Sequence, residues 1–434
     1  MHLFFSGIGG AGIGPLALIA HEAGYEVSGS DKQPSQYVDY LTRRGVKDIY
    51  IGQTIDNIAR LHQKHPIDWY IYSSAVLIED PGAAELQFCK QQSIKVSKRD
   101  ELLNLIIKDR KLKLIAIAGT HGKSTTTAMV IWLLKEMGIP LSYSVGARMN
   151  FGDMGEFNAE SEFFIYEADE FDRNFLSFEP YISIITGVSW DHHEIFPSRE
   201  EYQQAFREFI DQSSRTIIWQ EDQSYLGLED SSKLVVENSQ NIFINKLSLN
   251  GLYNRLDAYL ACRAVHEITK EPLDKLISIV NKFPGLKRRM EEIIPNLYSD
   301  YAHTPEKIRG AMSVAMEMAG KNHQEIIVVY EPLTDRRQHY IKNDYKDCFS
   351  GAKMVYWLPS YLAREDPKQT VITPEELISN LDDPTIAKTT LRDDHLKFEI
   401  ERHLLSGDMV VAMNGGGGNS LDEWLRQEFI ETER

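Results

Sequence analysis

Residues 115–127 read IAIAGTHGKSTTT. A short apolar run at 115–119 has the composition of a buried strand, and it enters Gly119-Thr120-His121-Gly122-Lys123-Ser124. A helical pattern follows, with apolar residues at Met129, Trp132, Leu133 and Met137 and a stop at Gly138-Ile139-Pro140. Glycines let the backbone turn without a Cβ clash, so successive N–H groups at a helix start are free to point at an anion. Lys123 then offers a point charge to the β- and γ-phosphates, and the Ser124 hydroxyl is placed to ligate Mg²⁺.

The spacing departs from the usual phosphate loop. Two residues separate Gly119 from Gly122, where a Walker A loop has four. A glycine turn between strand and helix also occurs for packing alone in parallel α/β domains. The lysine directly after the second glycine, followed by consecutive hydroxyls, favours the phosphate reading.

Around this stretch strands and helices alternate. Strands are expected at residues 3–6, 26–30, 69–73, 163–166, 181–186, 297–300, 326–330, 354–358 and 409–413. That pattern predicts an α/β chain with parallel sheets. Its 434 residues are enough for several domains. Boundaries are expected near the charged segment Lys108-Asp109-Arg110-Lys111 and near the basic cluster 283–289, dividing the chain into 1–110, 111–285 and 286–434.

Composition excludes some classes. Hydrophobic residues at 42% and charged ones at 26% suit a soluble globular protein, and no apolar run spans a membrane. The net charge of −17 argues against a nucleic-acid binder. The apolar start at 3–20 carries five glycines and no basic segment, so it does not read as a signal peptide. Cys89, Cys262 and Cys348 lie far apart without ligand spacing and read as small buried side chains in a reducing compartment. A cytoplasmic protein is expected.

The first strand runs into Gly7-Ile8-Gly9-Gly10-Ala11-Gly12, and the second ends in Asp31. Taken alone this is a dinucleotide fingerprint, with an acid suited to a ribose hydroxyl, and a dehydrogenase is one reading. The fingerprint requires only that a nucleotide phosphate sit on the helix. Downstream of the phosphate loop, the strand at 163–166 delivers Glu167-Ala168-Asp169-Glu170-Phe171-Asp172, where Mg²⁺ ligands belong in such a fold. The strand at 181–186 leads to Asp191-His192-His193.

In this order the pieces resemble the Mur ligases, the ATP-dependent amide-bond-forming ligases of peptidoglycan synthesis, over essentially the full length. The shortened loop GTHGKSTTT is similar to the family's own loop. The run GIGGAGIG at 7–14, Asp31 and the turn Ser73-Ser74-Ala75 are similar to the branch that adds L-alanine to UDP-N-acetylmuramate. The resemblance implies a three-domain architecture with a Rossmann-like N-terminal domain for the sugar nucleotide, a central phosphate-loop ATPase domain and a Rossmann-like C-terminal domain for the amino acid.

It further implies that Gly119, Thr120, His121, Gly122, Lys123, Ser124 and Thr125 hold ATP, together with Asn254, Arg289 and Asp300. Gly7, Gly9, Gly10, Ala11, Gly12, Asp31, Ser73 and Ser74 would hold UDP-N-acetylmuramate. Arg337 and His303 would face L-alanine. Mg²⁺ would sit on Ser124, Glu167 and His192, and Lys123, Glu167 and His192 would form the catalytic set. Lys123→Ala is expected to abolish turnover and to spare the fold and uridine-nucleotide binding. Neither nucleic acid nor membrane is an expected partner, and a monomer or weak homodimer is expected.

Several positions depart from the family pattern. Gly187 and Asp257 stand where asparagines are usual, DYAHTP at 300–305 replaces DYGHHP, and the segment at 330–334 lacks a QPHR-like arginine. These put the identity of the amine in question. A ligase attaching the tripeptide L-alanyl-γ-D-glutamyl-meso-diaminopimelate to the same sugar nucleotide is the alternative, and a non-catalytic ATP-binding relative is a further one. Tyr361-Leu362-Ala363-Arg364-Glu365-Asp366-Pro367 resembles a stretch of the alanine-adding enzymes' last domain.

Overall fold

The computed structural model describes the chain apart from residues 74–75, 77–79, 81, 192–194, 361, 363–368, 416–419 and 431–434, and the side chain at position 36. Three sheets carry the architecture. The first comprises β1 (His2–Ser6), β2 (Glu26–Asp31), β3 (Ile49–Ile51), β4 (Trp69–Tyr72) and β5 (Lys95–Lys98), in the order β3-β2-β1-β4-β5 with every pairing parallel.

The second comprises β6 (Lys113–Ala118), β7 (Leu141–Ser144), β8 (Gly155–Glu156), β9 (Phe163–Glu167), β10 (Ile182–Ile185), β11 (Thr216–Trp219) and β12 (Leu234–Glu237). Their order is β12-β11-β10-β6-β9-β7-β8, and only β7 and β8 run antiparallel. The third comprises β13 (Glu291–Ile294), β14 (Leu297–Asp300), β15 (Ile326–Glu331), β16 (Met354–Trp357), β17 (Ala387–Thr389) and β18 (Met409–Asn414). Its order is β13-β14-β18-β15-β16-β17, with β13 antiparallel to β14.

Parallel neighbours need crossover connections, and the helices that make them cover both faces of each sheet. The central strands are therefore buried along their whole length rather than on alternate residues. Every residue of β1, β15 and β18 is buried, as are Leu114 to Ala118 of β6. Each expected strand is present to within a residue or two at its ends. The segment 108–111 is the end of the helix Arg99–Asp109 and a short turn into β6.

The chain packs as two compact units. One is Met1–Ser248 with Leu256–Pro284, and the other is Leu249–Arg255 with Gly285–Arg434. The first two sheets lie in the same unit and share a core, in which Leu16, Ile19 and Ile106 join Leu114, Phe164 and Phe206. The close approach has a glycine at its centre, since a Cβ on Gly155 would lie 2.8 Å from the carbonyl oxygen of Pro15. In the second unit, Leu249–Arg255 is held by Glu317, which accepts from Gly251 N at 2.9 Å and pairs with Arg255 Nη1 at 2.9 Å. Among the described residues no helix is long and apolar enough to cross a membrane.

The core of the second unit centres on Trp357, fully buried, with the rings of Tyr330, Tyr345 and Phe349 at 4.9, 5.2 and 5.4 Å between centroids. Its Nε1 is buried without a hydrogen-bond partner, so the indole contributes by packing alone. Trp357→Ala is expected to cost about 3–5 kcal/mol in urea unfolding, and Trp357→Phe much less. Equal costs would mean that the indole N–H has a role the packing does not account for.

Candidate active site

β6 lies at the middle of its sheet with β9 on one side and β10 on the other. Ile117 pairs with Glu167 and Ala118 with Ile185, so three strand ends deliver their following residues to one place. The loop after β6 is fixed by the segment after β10. Thr120 N donates to Gly187 O at 2.8 Å, Thr120 Oγ1 donates to Ser189 O at 2.7 Å, and Thr186 Oγ1 donates to His121 O.

Gly122 caps the helix Lys123–Glu136 in the left-handed region, at φ +77°. A Cβ there would also lie 2.5 Å from Oδ1 of the buried Asp257, so both backbone and space require glycine. Asp257, one of the departures noted above, thus presses against the phosphate loop. At Gly187, the other departure, φ is +153°, a conformation side chains rarely adopt.

Lys123 Nζ donates to Gly119 O at 2.6 Å and to both oxygens of Glu170 at 3.0 and 2.8 Å. The Glu170 side chain is 1% exposed. Burial works against the ammonium charge, but Glu170, aided by Asp169 and Glu167, outweighs it and holds Lys123 above its ordinary pKa. Glu170 escaped the sequence reading because Glu167 in the same EADE run already supplied a metal carboxylate. Removal of Lys123 would strand this buried carboxylate, so a cost to stability is expected beside the loss of turnover.

Ser124 Oγ donates to Glu167 Oε1 at 2.9 Å, and Glu167 Oε2 accepts from Gly146 N at 2.6 Å. Among the described residues no group of three or more His, Cys, Asp or Glu side chains is arranged for a metal. Mg²⁺ needs no such cage, since it takes one or two protein oxygens and completes its shell with water and phosphate. The Ser124 and Glu167 oxygens fit that demand. His192, the third expected ligand, lies outside the described residues, as does Ser74.

In the same unit β1 ends at a second glycine turn. Gly7, at φ +74°, and Ile8 donate to Ser30 O at 2.8 and 2.9 Å. Asp31 Oδ2 accepts from Gly9 N at 2.8 Å, so this carboxylate braces the turn, a task the ribose reading had not assigned to it. Gly10, Ala11 and Gly12 are exposed, and Ser73 is half-buried at the end of β4. Beneath the turn Glu85 is 1% exposed, and its Oε2 accepts from Ser30 Oγ at 2.8 Å and Ser6 Oγ at 3.2 Å. The two glycine elements reach one cavity of about 240 Å³, whose lining includes Gly12, Arg99, Lys123, Glu167 and Asp169.

Asn254, Arg289, Asp300, His303 and Arg337 belong to the second unit. Asn254 Nδ2 donates to Asn250 O at 2.8 Å. Asp300, buried at the end of β14, accepts from Met290 N at 2.8 Å, and burial raises its pKa against the charge of Arg289. Arg288 and Arg289 both lie over the Tyr301 ring, at 4.7 and 5.5 Å. His303 Nδ1 is 3.0 Å from Tyr301 O, and since a carbonyl only accepts, Nδ1 carries the hydrogen. Burial, then the charges of Lys307, Arg337 and Arg289, hold His303 well below its ordinary pKa, so it is neutral. Lys307 has no counterpart among the expected residues. Most of the 361–367 stretch and the glycines at 416–418 lie outside the described residues.

The chain belongs to the Mur ligase family. The family's catalytic-domain model matches residues 2–111 and its middle-domain model matches residues 117–255. Relatives include the UDP-N-acetylmuramate–L-alanine ligase of Clostridium perfringens, 27% identical over 95% of this chain and 94% of that protein. The enzyme of the same name from Agathobacter rectalis is 28% identical over 98% and 97%. Among solved structures, the UDP-N-acetylmuramate–alanine ligase of Thermotoga maritima superposes with a TM-score of 0.78 at 22% identity, over 100% of this chain and 99% of that one. A murein peptide ligase from Psychrobacter arcticus superposes at 0.65 with 21% identity, over 99% and 98%. These structural likenesses establish the three-domain α/β fold.

Two outcomes follow from the buried charges. Lys123→Met is expected to lose turnover and about 3 kcal/mol of stability, and adding Glu170→Gln should restore the stability and not the turnover. A Lys123→Met protein as stable as the wild type in urea would show that the pair carries no folding energy. For Glu85, burial pushes the carboxyl up to about 7 against the pull of the two serine hydroxyls. The folded protein then holds a proton that the unfolded chain has released. This contribution is complete below the ordinary value of 4.5 and is lost as pH rises through about 7. Glu85→Gln should remove a slope worth on the order of 3 kcal/mol between about pH 5 and pH 8, and identical pH profiles would refute it.

Proposed function

We propose that this chain joins L-alanine to the lactyl carboxylate of UDP-N-acetylmuramate at the expense of ATP, as a cytoplasmic step of peptidoglycan synthesis. The observation that carries the reading is the single cavity on which both glycine elements open, one suited to a nucleotide sugar and the other to the ATP phosphates. The full-length relatives that bear this activity in their names support the choice of substrates. The divisions 1–110, 111–285 and 286–434 are the proposed domains for sugar nucleotide, ATP and amine.

A carboxylate is a poor electrophile, so its oxygen must first take the γ-phosphoryl group, releasing ADP and forming an acyl phosphate. The amine nitrogen then attacks the acyl carbon, and phosphate leaves with the C–O bond electrons. Lys123 and the loop amides neutralise and align the triphosphate. On binding ATP, Lys123 exchanges contacts with Glu170 and Gly119 O for phosphate oxygens. Ser124 and Glu167 would hold Mg²⁺, which supplies charge neutralisation on the phosphates. Asn254, Arg289 and Asp300 are the proposed remaining contacts to ATP, and His303 with Arg337 those to the amine.

One observation favours a second reading of the amine. Apart from Arg289, assigned to ATP, two cations, Lys307 and Arg337, act on His303, one more than a single amino-acid carboxylate requires and suited to a tripeptide with several. Phosphate release from ATP with Mg²⁺ and UDP-N-acetylmuramate decides between them. Stimulation by L-alanine over glycine, L-serine and L-alanyl-γ-D-glutamyl-meso-diaminopimelate is the expected result. Stimulation by the tripeptide alone would replace L-alanine, and no release with any amine would overturn the ligase assignment.

A further inference from the structure

Arg99 begins the helix Arg99–Asp109 and lines the cavity shared by the glycine turn and the phosphate loop. Its side chain is 25% exposed. A Cβ on Gly12 would lie 2.1 Å from Arg99 Nη1, so the guanidinium rests directly on the backbone of the turn. Among the described residues it makes one hydrogen bond, to Asp169 Oδ2 at 3.4 Å, and a further ion pair with Asp100 Oδ1 at 3.6 Å. Both are long for charged partners.

A guanidinium carries five N–H donors in a planar fork. Most of this fork is uncommitted, although the group is largely withdrawn from water. Purely structural arginines in this chain look different: Arg426 makes close bonds to both Asp422 and Glu291, at 3.1 and 2.7 Å. Lys123 shares the cavity, but its ammonium is engaged by Glu170 and the loop. Among the described residues lining the cavity, Arg99 is the cation left with uncommitted donors.

We propose that Arg99 is a binding residue for an oxyanion of the sugar nucleotide, gripping it through its open fork beside Gly12. The inference rests on the function proposed above and adds a residue to it. The sugar nucleotide offers two such groups, the diphosphate and the lactyl carboxylate. Loosely held by Asp169 and Asp100, the guanidinium exchanges those contacts for the substrate's oxygens without a large movement.

Calorimetric titration of Arg99→Met and Arg99→Lys with UDP-N-acetylmuramate, UDP-N-acetylglucosamine and ATP in Mg²⁺ tests this. UDP-N-acetylglucosamine has the same diphosphate and lacks the lactyl group. The expected result is a Kd for UDP-N-acetylmuramate raised about ten- to hundredfold in Arg99→Met, with only partial rescue by lysine and an unchanged Kd for ATP. An unaltered Kd for UDP-N-acetylglucosamine would assign the carboxylate, and a parallel loss would assign the diphosphate. Unchanged binding of UDP-N-acetylmuramate, or equal losses for ATP and both sugar nucleotides, would overturn the proposal and make Arg99 structural. Failure of the wild type to bind UDP-N-acetylmuramate would instead overturn the underlying function.

Discussion

The buried pair of Lys123 and Glu170 is the interaction on which the phosphate loop depends. An ammonium at a helix start, facing backbone N–H groups, would be repelled without a counter-charge. Glu170 supplies it, and Gly119 O takes a further proton of the same ammonium. The loop is thereby held in an anion-ready shape, with its lysine already charged and placed. The same pair makes the lysine structural as well as chemical, so function and folding are coupled at one residue.

Parallel strand order explains why so few residues suffice. With β6 between β9 and β10, carboxylates after one neighbour and a hydroxyl-glycine pair after the other arrive at the loop without long connections. The first sheet repeats the device around β1, whose turn is braced by Ser30 and Asp31. Because both sheets belong to one unit with a shared core, the two anion-binding turns face a common cavity. Dense packing at glycines 9, 12, 122 and 155 permits that closeness, since a methyl group at any of them would collide with a neighbour.

In the second unit, burial and neighbouring cations act together on His303. A histidine kept neutral with its hydrogen committed to a backbone carbonyl presents its other ring nitrogen as an acceptor only. Such a group suits an ammonium donor, and the cations around it suit carboxylates. That is the polarity of an amino acid or peptide, read from charge arrangement rather than from any motif.

Periodicity and composition alone determined the α/β class, the ten expected strands and the two glycine turns, because buried parallel strands are mostly apolar and phosphate turns require glycine at set positions. Lys123, Ser124 and Glu167 were legible for the same reason: each stands immediately beside a strand end or helix start. The edge strands β3, β5, β8, β12, β13 and β17, and β7 and β11 next to an edge, were not legible, being only two to four residues long. Glu170, Arg99 and Lys307 carry no motif, and only the tertiary structure shows Glu170 against Lys123, Arg99 against Gly12 and Lys307 near His303. Glu170 becomes the partner of Lys123 because the chain after β9 returns to the loop, and Arg99 reaches Gly12 because the parallel order β1-β4-β5 brings the residue after β5 to the same end of the sheet as the turn after β1. Charge pairing across such distances in sequence depends on where the backbone goes, which local pattern does not encode.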